Sequence, residues 1–190
     1  MSMGRSVVLV AMLAVMAAPA QAAPAPALPA AALPSPPASD AELLGVLATI
    51  HAVNREAAAP GRTRGTDRRV RALAETITRH AIAGQRRQAA LSHEMEQRAV
   101  DGDTGDGLRF AARRASPGLA SLGRGPGFDD AWLKGQIETL MLVIDAINNK
   151  SRPYAQAPAL QQELVAVVEQ AAADLAAAQA LRAALAKPVS

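Results

Sequence analysis

Two side chains far apart in the chain, His80 and Asp174, have the types and the helical positions to meet as an ion pair or to hold a divalent cation. His80 follows Ile77 by three residues, on the inward side of one apolar periodicity, and Asp174 occupies a seam position of another, so both are expected to point inward. A carboxylate buried alone is disfavoured by several kcal/mol, so Asp174 needs a donor, and the heptads place His80 best to supply it. An imidazole and a carboxylate are also ligands that a divalent metal accepts. A structural site for such an ion takes about four of them and a catalytic site about three, however, so a structural ion pair or a wet polar pocket is the reading to weigh against a residual metal site.

The remaining constellations fall short of known chemistry. His93-Glu94 begins the zinc-protease pattern, but position 97 is Gln, and His93 lies off the seam and reads as a surface residue. No Glu-x-x-His pair, the spacing a di-iron bundle needs on one inward face, occurs anywhere in the chain. Asp101-Gly102-Asp103-Thr104-Gly105-Asp106-Gly107 clusters carboxylates as a calcium loop does, yet Gly105-Asp106 reverses the fifth and sixth positions of such a loop and Ala112 stands where the closing Glu belongs. It reads as a solvated loop that ends a helix. There is no phosphate-cradling glycine loop and no nucleophile elbow.

Charge supplies the other feature. Arginine accounts for 17 of the 20 basic side chains, and residues 62–98 hold nine arginines against four acids. Helical geometry sets Arg68, Arg79 and Arg86 near one outer line, with Glu75 able to pair with Arg79 at i, i+4. Such a stripe could meet an anionic lipid surface or an acidic polymer of the envelope, or it is a solvated face. Nucleic acid is not expected, because export takes the protein away from it and no aromatics interleave for base stacking.

The elements that must position these groups are helices. Half of the 190 residues are hydrophobic but only 2% are aromatic, so the core must come from Ala, Leu, Val and Ile. Ser39 and Glu42 form a capping box at the start of a first helix, whose apolar positions Leu43, Val46, Leu47, Ile50, Val53 and Ala57 run until Pro60-Gly61 stops the pattern. Thr66 is the expected N-cap of a second, long helix with its seam through Val70, Leu73, Ile77, Ala81, Gly84, Gln88, Leu91 and Met95 to about Val100. Residues 101–127 form a long connection with only a short helix around Leu108 to Arg114. A third helix from Phe128 to Asn149 is expected to face Leu133, Ile137, Leu140, Ile144 and Ile147 inward, widened by Met141 and Val143. Its opening aromatics, Phe128 and Trp132, should cap the core. After Arg152-Pro153 a fourth carries Leu160, Leu164, Val167, Ala171, Asp174, Ala178, Leu181 and Leu185.

Four such stripes are marginal alone and must bury one another. The expectation is an all-α fold, a four-helix bundle of ferritin-like topology with its long connection between helices two and three. Ahead of it, residues 1–22 read as a signal peptide, with an apolar run from Ser6 to Ala18 and a small-x-small site at Ala20-Gln21-Ala22. Residues 23–38 are an Ala/Pro-rich linker, and 39–187 the bundle domain. The mature protein is expected in the periplasm or secreted. No apolar run reaches the length of a membrane-spanning helix, so no transmembrane helix is expected in it. Without cysteine, disulfides, thiolate metal sites and cysteine nucleophiles are excluded.

Three segments carry a resemblance: Asp40-Ala41-Glu42-Leu43-Leu44-Gly45-Val46-Leu47, Arg69-Val70-Arg71-Ala72-Leu73-Ala74 with His80 downstream, and Phe128-Asp129-Asp130-Ala131-Trp132. Over about residues 40–186 the chain resembles an exported, ferritin-like bacterial family of unknown function whose members are often labelled outer-membrane proteins. The resemblance implies a fold more than an activity. That family carries three histidines, of which His80 matches the first, while Leu140 and Asp174 stand at the other two positions and Asn54 stands where members often have glutamate.

Together these readings predict a non-enzymatic bundle of the bacterial envelope in a binding or stress-related accessory role, without a cofactor, its partner an envelope protein or an anionic lipid surface. The alternative is a divalent-metal-binding ferritin-like protein or oxidase, in which His80, Asp174 and either Asn54 or Glu56 hold the ion.

Overall fold

A computed structural model describes Pro37 and residues 39–186; the expected signal peptide and, apart from Pro37, nearly all of the Ala/Pro-rich linker lie outside the described residues. Among the described residues the fold is entirely helical, with five α-helices: α1 (Asp40–Arg64), α2 (Arg68–Glu94), α3 (Asp103–Ala115), α4 (Pro126–Lys150) and α5 (Pro158–Leu185). Short 3-10 turns, Leu119–Ser121 and Arg152–Tyr154, precede α4 and α5.

Ser39 Oγ accepts from the Glu42 amide at 3.3 Å and starts α1 as the capping box requires. The helix does not stop at Pro60-Gly61, where the sequence pattern ends, but runs four residues past Pro60. Proline removes one helical donor there, yet tertiary contact holds the turn: the Trp132 indole N–H donates to the Ala57 carbonyl at 2.9 Å, and its ring lies so close to Gly61 that a Cβ would collide with it. The cap of α2 is likewise displaced by one residue. Asp67, not Thr66, accepts from the Arg69 amide at 2.7 Å, because the Thr66 amide and hydroxyl are both bonded to Asp129 of α4, at 2.9 and 2.6 Å. At its other end α2 closes at Glu94 instead of Val100, as Glu96 takes a positive φ of 51° and the Val100 amide pairs with the Ala41 carbonyl at 3.0 Å.

The expected loop across Asp101 to Gly107 is largely the first turn of α3, a full helix of 13 residues. Asp101 and Asp106 both pair with Arg109, at 3.0 and 2.8 Å, so two carboxylates of this run answer a guanidinium.

Contacts along the helices give their directions. α1 packs against α2 and α4, and α5 against α4 and α2. Asp129, at the start of α4, holds the α1–α2 turn, while Asp40, at the start of α1, accepts from the Gln156 and Ala157 amides before α5, each at 3.0 Å. α4 thus runs antiparallel to α1. The pairs His80–Asp174 and Arg87–Glu163 set α5 antiparallel to α2. α3 climbs from the Thr49 level of α1 to Gly135 of α4, returning the chain so that α2 and α4 point the same way.

Two apolar clusters fill the interior. Leu43, Leu47, Ile50, Leu140, Ile147, Leu160 and Leu164 belong to the larger, and Val70, Phe128, Trp132 and Leu133 to the smaller. Phe128 and Trp132 are buried, as expected of core-capping aromatics, and the α5 seam faces inward as its spacing predicts. The α4 stripe is rotated from its expected position: Gln136 and Thr139 are buried, Ile137 and Ile144 only partly, and Met141 is exposed. By length and composition α5 is apolar enough to cross a membrane, a property its interrupting Gln, Glu and Asp residues hide from a count of unbroken apolar runs. Here its inward stripe packs on α4 and α2.

Candidate functional site

His80 on α2 and Asp174 on α5 meet. His80 Nδ1 lies 3.0 and 3.1 Å from the two carboxylate oxygens of Asp174, whose side chain is nearly sealed from solvent while the imidazole is one-third exposed. Burial pushes the Asp174 carboxyl up from its ordinary value, and the His80 contact, with Gln170 Nε2 at 3.5 Å, opposes that shift.

The same small space receives a histidine that the sequence pattern does not single out. His51 on α1 is buried and packs against Gly84 of α2, where a Cβ would collide with the Cε1 edge of the ring. Burial foremost, then the charge of Arg87, lower its pKa to about 4, so it is neutral above the acid range. Its signal is present in the sequence: His51 follows the buried Leu47 by four residues, and a glycine facing inward in mid-helix implies a bulky neighbour.

His51, Asn54, Ile77, His80, Gln170 and Asp174 surround a cavity of about 20 Å³, room for one particle the size of water. Two of its buried polar atoms, His51 Nε2 and Asn54 Oδ1, have no hydrogen-bond partner. Asn54 thus lines this cavity, while Glu56 is exposed and points away from the interior. Arg87 also borders the cavity, but its guanidinium is paired with Glu163 at 3.0 Å. Thr49 and Gln136 add further buried, unpartnered polar atoms in the interior.

Among the described residues no three His, Cys, Asp or Glu side chains lie close enough together to hold a metal ion. The donor set does not fit the di-iron centre of a ferritin-like bundle, which draws on four carboxylates and two histidines. What the arrangement can do is hold one water among the polar side chains of His51, Asn54, His80, Gln170 and Asp174.

On the outside, Arg68, Arg79 and Arg86 are exposed along one line of α2. Among the described residues no carboxylate lies within ion-pair distance of any of the three. Glu75 does not pair with Arg79, which donates to Thr76 Oγ1 at 3.0 Å. His93, as expected, is at the surface.

The family model described as a domain of unknown function, DUF4142, matches residues 23–181. No curated protein matches the chain. Among solved structures, it is similar to the crystal structure of a DUF305 fragment from Deinococcus radiodurans, with a TM-score of 0.62 and 18% sequence identity over 78% of this chain and 99% of that one, a likeness of fold alone.

Proposed function

The chain belongs to the DUF4142 family of domains of unknown function, and from that premise we propose that it is an exported, non-enzymatic helical bundle of ferritin-like topology that serves the bacterial envelope as a binding or stress-related accessory protein. The like direction of α2 and α4, with α3 as the crossover between two hairpins, supports the topology. The expected signal peptide supports export.

One observation carries the non-enzymatic reading. The middle layer of the bundle, where helices could pool ligands, offers one carboxylate bonded to one imidazole, and its second imidazole is packed on a glycine beside a cavity of about 20 Å³. No substrate larger than water fits there, and the donors are too few for redox chemistry at a metal. Binding then falls to the outer surface of the helices.

The second reading, a divalent-metal-binding protein or oxidase, draws on the unpartnered His51 Nε2 and Asn54 Oδ1 facing the His80–Asp174 pair. Elemental analysis of protein purified from its native envelope separates the two. Substoichiometric metal that chelators strip without loss of thermal stability is the expected result. Stoichiometric iron, manganese or zinc that disappears in the His80→Ala variant would establish the second reading instead.

A further inference from the structure

We propose that the outer face of α2 docks this protein on an anionic phospholipid surface, Arg68, Arg79 and Arg86 taking headgroup phosphates and Ile82 entering the headgroup boundary between them. The proposal rests on the reading of the protein as an exported binding bundle and names its partner.

The pairing of the arginines carries the argument. Arg69 is paired with Asp67 at 2.8 Å and Arg87 with Glu163 at 3.0 Å; Arg71 donates to the Gly65 and Thr66 carbonyls, and Arg64 to those of Leu119 and Leu122. These guanidinium groups hold the fold. Arg68, Arg79 and Arg86 do not: all three are exposed and none has a carboxylate partner, and although one Arg79 N–H donates to Thr76 Oγ1 at 3.0 Å, the remaining guanidinium donors face solvent and are available to phosphate.

Their spacing fits a plane. The steps of eleven and seven residues return to nearly the same side of the helix and spread the charges over about 16 and 10 Å of axis. Ile82, 37% exposed, lies near the same line, between Arg79 and Arg86. The exposed Glu75 also lies on this line, between Arg68 and Arg79, so the face carries three cations against one carboxylate, and a convex rod with that net charge and an apolar side chain beside it suits a headgroup layer.

The charge of the whole bundle orients that face. Residues 40–94, which span α1 and α2, hold nine basic and six acidic side chains, whereas residues 126–185, which span α4 and α5, hold four basic and seven acidic. An anionic surface attracts the first hairpin and repels the second, so the α2 side approaches it. Each unpaired arginine at such a surface is worth about fivefold in partitioning, on the order of a hundredfold for three.

The test is sedimentation of the exported protein with vesicles of phosphatidylglycerol and phosphatidylcholine in equal parts, against vesicles of phosphatidylcholine alone. We expect binding to the anionic vesicles only, release by added salt, a loss on the order of a hundredfold in the triple variant R68Q/R79Q/R86Q, and a loss of a few fold in Ile82→Ser, with the helical circular dichroism of both variants unchanged. Equal binding to both vesicle types, or wild-type binding by the triple variant, would overturn the proposal. So would salt-resistant binding, which points to insertion of α5, or complete displacement by soluble polyphosphate at equal phosphate, which points to a dissolved polymer. Metal content measured on the same preparation keeps the outcomes apart: stoichiometric metal sinks the binding-bundle reading, whereas absent vesicle binding without metal sinks only the docking face.

Discussion

His80 Nδ1 bridges both carboxylate oxygens of Asp174, at 3.0 and 3.1 Å, and this contact joins α2 to α5 midway along the two helices. Burial raises the Asp174 pKa, so the folded state holds that proton more tightly than the unfolded chain does, and the carboxyl's own contribution to stability falls as pH climbs above its ordinary range. Removing the imidazole leaves the carboxylate with only Gln170 at 3.5 Å. His80→Ala is therefore expected to lose about 1–3 kcal/mol at neutral pH and less in acid, whereas Asp174→Asn, which has no charge to bury, should lie within about 1 kcal/mol of wild type. Urea denaturation at two pH values checks both. The H80A/D174N double variant should be more stable than H80A alone, and additive losses would show that the pair is not coupled.

His51 gives the opposite pH dependence. Its folded pKa of about 4, against 6.5 for a free histidine side chain, means that the unfolded chain takes up a proton first as pH falls. The stability it confers is complete above pH 6.5 and declines toward pH 4, by about 3 kcal/mol in total, since each pKa unit is worth about 1.4 kcal/mol. His51→Gln cannot titrate, so its stability should change less across that window although its value at neutral pH is lower. An unchanged acid slope in the variant would show that another group is responsible.

The reasons some of this is legible in the sequence, and some is not, are physical. The α5 seam reads correctly, Asp174 included, because one helix face is buried along its length and spacing alone reports it. In α4 the polar Gln136 and Thr139 lie inside and Met141 outside, so a rule that sorts by hydrophobicity rotates the stripe. At Pro60 and at Thr66 local preference gives way to partners from α4: Trp132 holds the turn past the proline, and Asp129 engages the threonine, leaving the cap to Asp67. Such overrides are tertiary and leave no local trace. His51 escapes notice because a lone histidine beside an apolar stripe resembles a boundary residue until Gly84 is seen to make room for its ring.

The contact of Trp132 with Gly61 has a direct readout, since the chain has a single tryptophan. A Cβ at position 61 would enter the indole, which cannot retreat because its N–H is fixed to the Ala57 carbonyl and its body is buried. Gly61→Ala should lose about 1–3 kcal/mol by overpacking and shift the native emission to the red. Trp132→Phe, which keeps an aromatic ring and loses the hydrogen bond, should lose at least about 1 kcal/mol. Native-like emission and stability in G61A would mean that α1 and α4 are not so closely packed.

Asp129, from the Phe-Asp-x-x-Trp run, accepts three hydrogen bonds from the α1–α2 turn: from the Thr66 amide at 2.9 Å, the Thr66 hydroxyl at 2.6 Å and the Asp67 amide at 2.8 Å. The carboxylate is buried, so its loss strands two backbone donors as well as removing the link between hairpins. Asp129→Ala should lose about 3 kcal/mol or more and speed hydrogen exchange at the Thr66 and Asp67 amides, and Asp129→Asn, which keeps one acceptor oxygen, should fall between it and wild type. Asp40 does the same work at the opposite end on the amides of Gln156 and Ala157, but from a less buried position. Asp40→Ala should therefore lose only about 1 kcal/mol, and denaturation of the two alanine variants side by side tests that ranking. Equal losses would mean that burial does not set the strength of these two links.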